Sequence, residues 1–338
     1  MKNHAYVSAL FSLCLLVLTN CSSLKPIKSD LVWPSPPDKP RIQFLSSYAN
    51  RKSVEESSMS FIDAIIGEDA KDELGKPYGV AVDCEGKIYV SDSEQARIFV
   101  FDVNNKKLNF IGRGAGGAMQ LPLGIAVDSM QNLYVADGKL KSVLVYNKYG
   151  VMVKTIGDAK QLKNPSDIAI DELRQRIYVV DTQGHNIKVY STLNDSLILT
   201  VGKRGTEEGE FNFPVNIAVG KDGSLYVTDM INARVEIFDS EGKFLYKFGS
   251  LGDAFGQFTR PKGIALDSQE NIYVVDAAFN NFQIFSNKGV LLMSVGSLGA
   301  PLGFFWLPAG MYIDQQDRIY VVDQMNRRVQ VFQLIKYN

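Results

Sequence analysis

Short apolar runs separated by polar turns fill most of this chain, and they repeat in register. The segments "GVAVDCEGKIYVSD", "GIAVDSMQNLYVAD", "DIAIDELRQRIYVVD", "NIAVGKDGSLYVTD", "GIALDSQENIYVVD" and "GMYIDQQDRIYVVD" align, with tyrosines 89, 134, 178, 226, 273 and 320 spaced by 44 to 48 residues. Pro77, Pro122, Pro165, Pro214, Pro261 and Pro308 hold the same register. Three positions before each proline stands Leu74, Met119, Leu162, Phe211, Phe258 or Phe305. Each unit divides into four runs of strand character; in the fourth these are "NIAV", "SLYVTD", "RVEIFD" and "KFLYKFG", joined by "GKDG", "MINA" and "SEG". The first two runs are nearly all apolar, the third alternates and the fourth carries lysines. That gradient suits a radial sheet whose inner strands are covered on both faces and whose outer strand meets water. A period in the forties built this way predicts an all-β, six-bladed propeller.

The sixth unit is one strand short, because the chain stops after "RIYVVDQMNRRVQVFQLIKYN". Upstream of the first unit, "RIQFLSSYA" at residues 41–49 is a strand-like run that belongs to no complete unit. Pairing it beside "VQVFQL" closes the ring and removes two exposed sheet edges, so an N-terminal strand is expected to complete the last blade.

The recurring Pro-x-Gly-Ile-Ala-Val-Asp, Ile-Tyr-Val-x-Asp and Asn-x-Arg-Val-x-Val-Phe patterns resemble NHL repeats. With "PPDKPRIQFL", "GKPYGVAVD", "FNFPVNIAV", "RPKGIALD" and "FWLPAGMYID", the layout resembles bacterial NHL-repeat lipoproteins. The resemblance implies a propeller that hosts either a binding surface or an enzyme, since the fold serves both.

The N-terminus adds a targeting expectation. Lys2 precedes an apolar run of 14 residues at positions 5–18, which has the length of a signal segment and is short for a membrane span. Leu18-Thr19-Asn20-Cys21 resembles a lipobox, with Asn20 where a smaller residue is usual, and makes Cys21 the expected lipidation site. Ser22 after it resembles a signal for transfer to an outer membrane. The expected divisions are a signal peptide at 1–20, a tether at 21–40 and the propeller at 41–338, comprising the closing strand at 41–49, a connector with a short helix near residues 60–66 at 50–74, and the repeats at 75–338. Removal of Cys14 and lipidation of Cys21 leave only Cys84, hence no internal disulfide.

Charge narrows the partners. With 36 basic and 37 acidic residues the net charge is −1, so nothing draws the whole molecule to nucleic acid or an acidic membrane. No Cys-x-x-Cys-His is present, and "GRGAGG" at 112–117 lacks the ending of a phosphate loop. The turns between second and third strands read "SEQAR", "GKLKS", "TQGHN", "MINAR", "AAFNN" and "QMNRR". They place Arg97, Lys139, Lys141, His185, Arg234, Arg327 and Arg328 on one loop face as binding candidates. Arg97, Arg234 and Arg328 each follow an aspartate by five residues and are expected to clamp their own hairpins, leaving Lys139, Lys141, His185 and Arg327 as the better candidates. The aspartates at 92, 137, 181, 229, 276 and 323 are expected to be structural.

At the start of the innermost strand four units carry glycine, at 79, 124, 263 and 310, whereas the third and fourth carry Asp167 and Asn216. Two such side chains line an axial channel, and calcium is the cofactor they would suit if any, although it needs more oxygens than two. The function expected is therefore a lipid-anchored, monomeric, non-enzymatic scaffold on a bacterial envelope membrane, the outer membrane favoured. It would bind a protein of an envelope assembly through its loop face and touch the membrane through lipid alone. The alternatives are a lyase or hydrolase with an axial divalent metal and, against the export signal, an RNA-binding NHL domain.

Overall fold

The computed structural model describes residues 31–55, 72–112 and 119–337. Blade one is Pro77–Val82, Ile88–Asp92, Arg97–Asp102 and Lys107–Ile111. Blade two is Pro122–Val127, Leu133–Asp137, Ser142–Tyr146 and Met152–Ile156. Blade three is Pro165–Asp171, Arg176–Asp181, Asn186–Ser191 and Leu197–Val201. Blade four is Pro214–Val219, Leu225–Asp229, Arg234–Phe238 and Phe244–Phe248. Blade five is Pro261–Leu266, Ile272–Asp276, Asn281–Phe285 and Leu291–Val295. Within each blade the strands pair antiparallel in chain order from the axis outward. Each opens with its proline except in blade six, whose inner strand is Met311–Ile313.

Blade six supplies Met311–Ile313, Arg318–Asp323 and Arg328–Leu334, and its fourth strand is Ile42–Tyr48 from the other end of the chain. Ile42 lies opposite Leu334 and Tyr48 opposite Val329. Ile42 and Phe44 are buried, and the Phe44 ring meets Phe332 edge-on at 5.6 Å between centroids. The expected closure is therefore present. A further two-residue strand, Val32–Trp33, pairs outside Ile42 and Gln43 and makes this blade five-stranded. Trp33 reaches Phe332 at 5.6 Å, so the expected tether of 21–40 ends earlier than its composition suggested: from Leu31 the chain is part of the packed blade.

The apolar core forms wedges between neighbouring blades. One cluster joins Val80 and Val90 of blade one to Tyr320 and Val329 of blade six, and five others join the remaining adjacent pairs in turn. The repeated Asp-x₅-Tyr pattern has a local purpose. Asp83, Asp128, Asp267 and Asp314 accept a hydrogen bond from the tyrosine hydroxyl six residues on, at 3.1 to 3.2 Å, across the first hairpin of their blades.

The expected signal segment, Cys21 and most of the tether lie outside the described residues, as do the expected connector helix and all of "GRGAGG" but its first glycine. Among the described residues no helix is long and apolar enough to cross a membrane.

Candidate functional site

The loop face is built on the six second-strand aspartates. Asp276 accepts N–H bonds from Thr259 at 2.7 Å and Arg260 at 3.2 Å, in the segment entering the blade, and from Ala278 and Phe279 in its own turn at 2.9 and 3.1 Å. Asp92 and Asp137 repeat the arrangement with Gly75 and Lys76, and with Gln120 and Leu121. Asp181, Asp229 and Asp323 take the corresponding N–H groups of Lys163 and Asn164, of Asn212, and of Trp306. Each carboxylate staples an inter-blade segment to a hairpin, as its recurrence implied.

Several expected binding residues are engaged in the same framework. Arg328 and Arg234 do pair with Asp323 and Asp229, at 2.7 and 3.3 Å. Both also reach forward to carbonyls of the preceding inter-blade loop, Arg234 to Thr206, Glu207 and Glu210, and Arg328 to Pro301 and Phe304. Arg97 is fully buried with its guanidinium 4.3 and 4.1 Å from the Phe99 and Phe110 ring centroids. His185 is buried, and its Nδ1 accepts the Phe213 N–H at 3.2 Å while the two rings meet at 4.6 Å. Asn280 does the same in blade five, accepting the Leu307 N–H at 2.8 Å. Arg234, Arg328, His185 and Asn280 are thus parts of the architecture, because the inter-blade loops fold back over the turns that carry them, and Arg97 is enclosed by rings of its own blade. Lys139, Lys141 and Arg327 are exposed, the last two at the left-handed position that closes the turn in every blade (φ 57° and 54°).

The axial pair is brought together. Asn216 Nδ2 and the Ile217 N–H both donate to Asp167 Oδ2 at 3.0 Å. Burial pushes the Asp167 carboxyl up to about 7 against these hydrogen bonds. Below it runs a channel of about 260 Å³ whose wall takes one apolar residue from each blade: Val80, Ile125, Ile168, Ile217, Ile264 and Met311. The four glycines in the same ring are required by close approach. A Cβ at Gly79 would sit 2.7 Å from Leu123 O, and one at Gly310 2.5 Å from Tyr78 O. At the mouth, Lys262 lies 5.9 Å over the Tyr78 ring, and burial together with Arg260 and Lys76 pulls its ammonium down to about 8. The donor set does not fit calcium, because Asp167 is the only carboxylate among the wall residues and its Oδ2 already takes two N–H donors.

Charge patterning missed the most prominent feature of the face. Three inter-blade loops share one design, "GKRGTEEGEFNFP", "GSLGDAFGQFTRP" and "GSLGAPLGFFWLP". Phe211, Phe258 and Phe305 are fully buried, and parallel bridges join Arg204 to Phe211, Leu251 to Phe258 and Leu298 to Phe305. Gln283 and Gln330 accept the Gly256 and Gly303 N–H groups at 2.8 Å and fix the loop tips. In the first loop the outward positions are Arg204, Glu208, Glu210 and Asn212. In the other two they include Leu251, Phe255, Leu298, Leu302, Phe304 and Trp306, all exposed, Phe255 to 77% and Trp306 to 47%. The Met325 N–H donates to Trp306 O at 3.1 Å, and the Met325 side chain is exposed beside it. The result is an apolar arc over blades five and six held on rigid loops. Aligning the three loops by their glycines reveals the substitution of apolar for polar residues.

Fold and repeat together define a class, the six-bladed β-propeller built of NHL repeats. Residues 74–101 match the NHL repeat family model, and residues 205–283 match a family described as 6-bladed beta-propeller. NHL repeat-containing protein 3 of Homo sapiens is 27% identical over 107 residues, covering 28% of this chain and 30% of that relative, so the match spans less than a third of its length. A Bacteroides thetaiotaomicron VPI-5482 protein of unknown function superposes with a TM-score of 0.61 at 17% identity, over 87% of this chain and 76% of its own. A gluconolactonase of Xanthomonas campestris gives 0.61 at 16% identity, over 78% and 88%. At these identities the likeness is one of fold.

Proposed function

We propose that the chain is a non-enzymatic binding module, tethered to an envelope membrane through lipid on Cys21, and that its loop face is the working surface. The observation that carries this reading is the division of labour on that face. Groups with chemical potential are engaged in the framework, His185, Arg234 and Arg328 in holding loops and Arg97 buried against the Phe99 and Phe110 rings, while rigid loops and turns present apolar and cationic side chains outward. Preorganised surfaces of this kind favour association, because little side-chain or loop ordering remains to oppose it. Lys139 and Lys141 in blade two suit an acidic protein surface, and charge complementarity there governs encounter and register more than raw affinity.

A photo-crosslinking residue placed at Lys139 in cells is expected to give a discrete adduct. The same residue at Tyr149, which is exposed on the opposite face, should give none. The adduct should vanish with Lys141→Glu and persist in Asp167→Ala/Asn216→Ala. Adducts from Tyr149 alone, or loss of the Lys139 adduct on axial substitution, would move the working surface away from the loop face.

A further inference from the structure

The apolar arc needs an occupant, and the path of the chain identifies one. Leu31 and Trp33 belong to the same cluster as Phe305 and Phe332, and a Cβ at Gly303 would sit 2.7 Å from the Trp33 ring and 3.8 Å from Leu31 Cδ1. The described chain therefore begins against the loop that carries Leu302, Phe304 and Trp306. Ten residues before Leu31 stands Cys21, and before it the apolar run at 5–18. Fully extended, those ten residues span at most about 35 Å. Whether Cys21 carries lipid or the apolar run stays attached, the membrane-seeking end of the chain is leashed to the edge of the ring that carries the apolar arc.

We infer that the arc formed by Leu251, Phe255, Leu302, Phe304, Trp306 and Met325 rests on the lipid bilayer, with blades five and six against its surface. Trp306 and the phenylalanines have the chemistry of side chains that settle at the headgroup level. Arg327, exposed and two residues from Met325, is placed to keep its guanidinium among phosphates while its stem lies along apolar surface. The equivalent loop of blade four, with Arg204, Glu208 and Glu210, marks where the arc stops. A leash alone leaves the ring free to tumble, whereas a second contact gives it one orientation. Blade two lies across the ring from blade five, so this orientation lifts Lys139 and Lys141 away from the membrane. The inference rests on the tethering proposed above and adds a contact to it.

Trp33 and Trp306 are the only tryptophans, so Trp33→Phe leaves one reporter. The full chain carrying that change would be reconstituted into vesicles of phosphatidylethanolamine and phosphatidylglycerol with brominated acyl chains. Trp306 emission is expected to be quenched by the bromines and protected from aqueous iodide. Phe255→Ser with Phe304→Ser should raise iodide quenching at least about twofold by removing buried apolar area, while the chain still sediments with the vesicles. A cooperative urea transition with a slope equal to that of the unsubstituted chain confirms that both variants keep their packing.

Trp306 open to iodide in sedimenting vesicles would overturn the inference and leave the tethering intact. Failure of the chain to sediment would overturn both, and the Lys139 adduct reports the loop-face reading independently. Iodide protection without bromine quenching, together with concentration-dependent self-association, would assign the arc to a second copy of the chain and overturn contact with lipid.

Discussion

Asp276 holds two backbone N–H groups of an incoming loop and two of its own turn while being wholly buried. Truncation would leave those donors inside the protein without an acceptor, and each such group costs about 1–3 kcal/mol. Asp276→Ala is therefore expected to lower unfolding stability by about 3 kcal/mol or more in urea titration, with Asp276→Asn recovering part of the loss. Asp167 carries a different consequence. It titrates near 4 in an unfolded chain and is raised to about 7 in the fold, so its contribution is whole below about pH 4 and lost as pH rises to 7. Asp167→Asn keeps an acceptor for Asn216 and Ile217 and removes the titration. Relative to the parent it should gain on the order of 2 kcal/mol between pH 4 and pH 8, and a parallel pH dependence of the two proteins would refute the assignment. The aspartates were legible because the same residue recurs at the same strand end six times. The burial of His185 was not, since it depends on a loop 28 residues on folding over the turn, and that of Arg97 was not, since it depends on the Phe99 and Phe110 rings of neighbouring strands closing over its guanidinium.

At the scale of elements, strands and turns could be read from the register of apolar runs, and the closing strand from the one that was lacking. Val32–Trp33 could not, because two residues carry no periodicity and Trp33 sits in a stretch whose prolines read as tether. The loops of blades four to six were hidden for another reason: their outward side chains become visible only after Phe211, Phe258 and Phe305 are superposed as buried anchors. The clasp makes the energetic case directly. Phe44→Ala should cost about 3–4 kcal/mol, the range for truncating a buried phenylalanine, because its ring packs on Phe332. Trp33→Ala should cost roughly 2 kcal/mol, since its ring is only partly buried. Both are measured by denaturant unfolding, and a neutral Phe44→Ala would show that the sixth blade does not need its borrowed strand.

From Leu31 onward the described chain is a closed circuit of six inter-blade wedges, and closure distributes the apolar core without leaving any blade at an end. One side of the circuit bears the stapled loops, and on that side an apolar sector over blades five and six faces a cationic turn in blade two. A ring with such a face has a definite up and down only when something outside it breaks the symmetry. The position of Leu31 beside Gly303 supplies that direction.

Borrowing a strand from the far end of the chain also sets a clock. Ile42 and its partner Leu334 are separated by 292 positions, so Ile42–Tyr48 has only the two-residue strand Val32–Trp33 beside it until Arg328–Leu334 follows. At about 5–20 residues per second that interval is roughly 15–60 s. During it, Ile42–Tyr48 is an apolar segment without its lid, while each blade completed meanwhile offers an outer edge of its own. Its register must be specific enough to refuse those earlier edges. Trp33 and Phe44 both meet Phe332 edge-on, where the outer strands of blades one and four bring a single ring, Phe110 or Phe244, against Phe99 or Phe238. The order in which this chain is made is thus a selective pressure on the residues at its two ends.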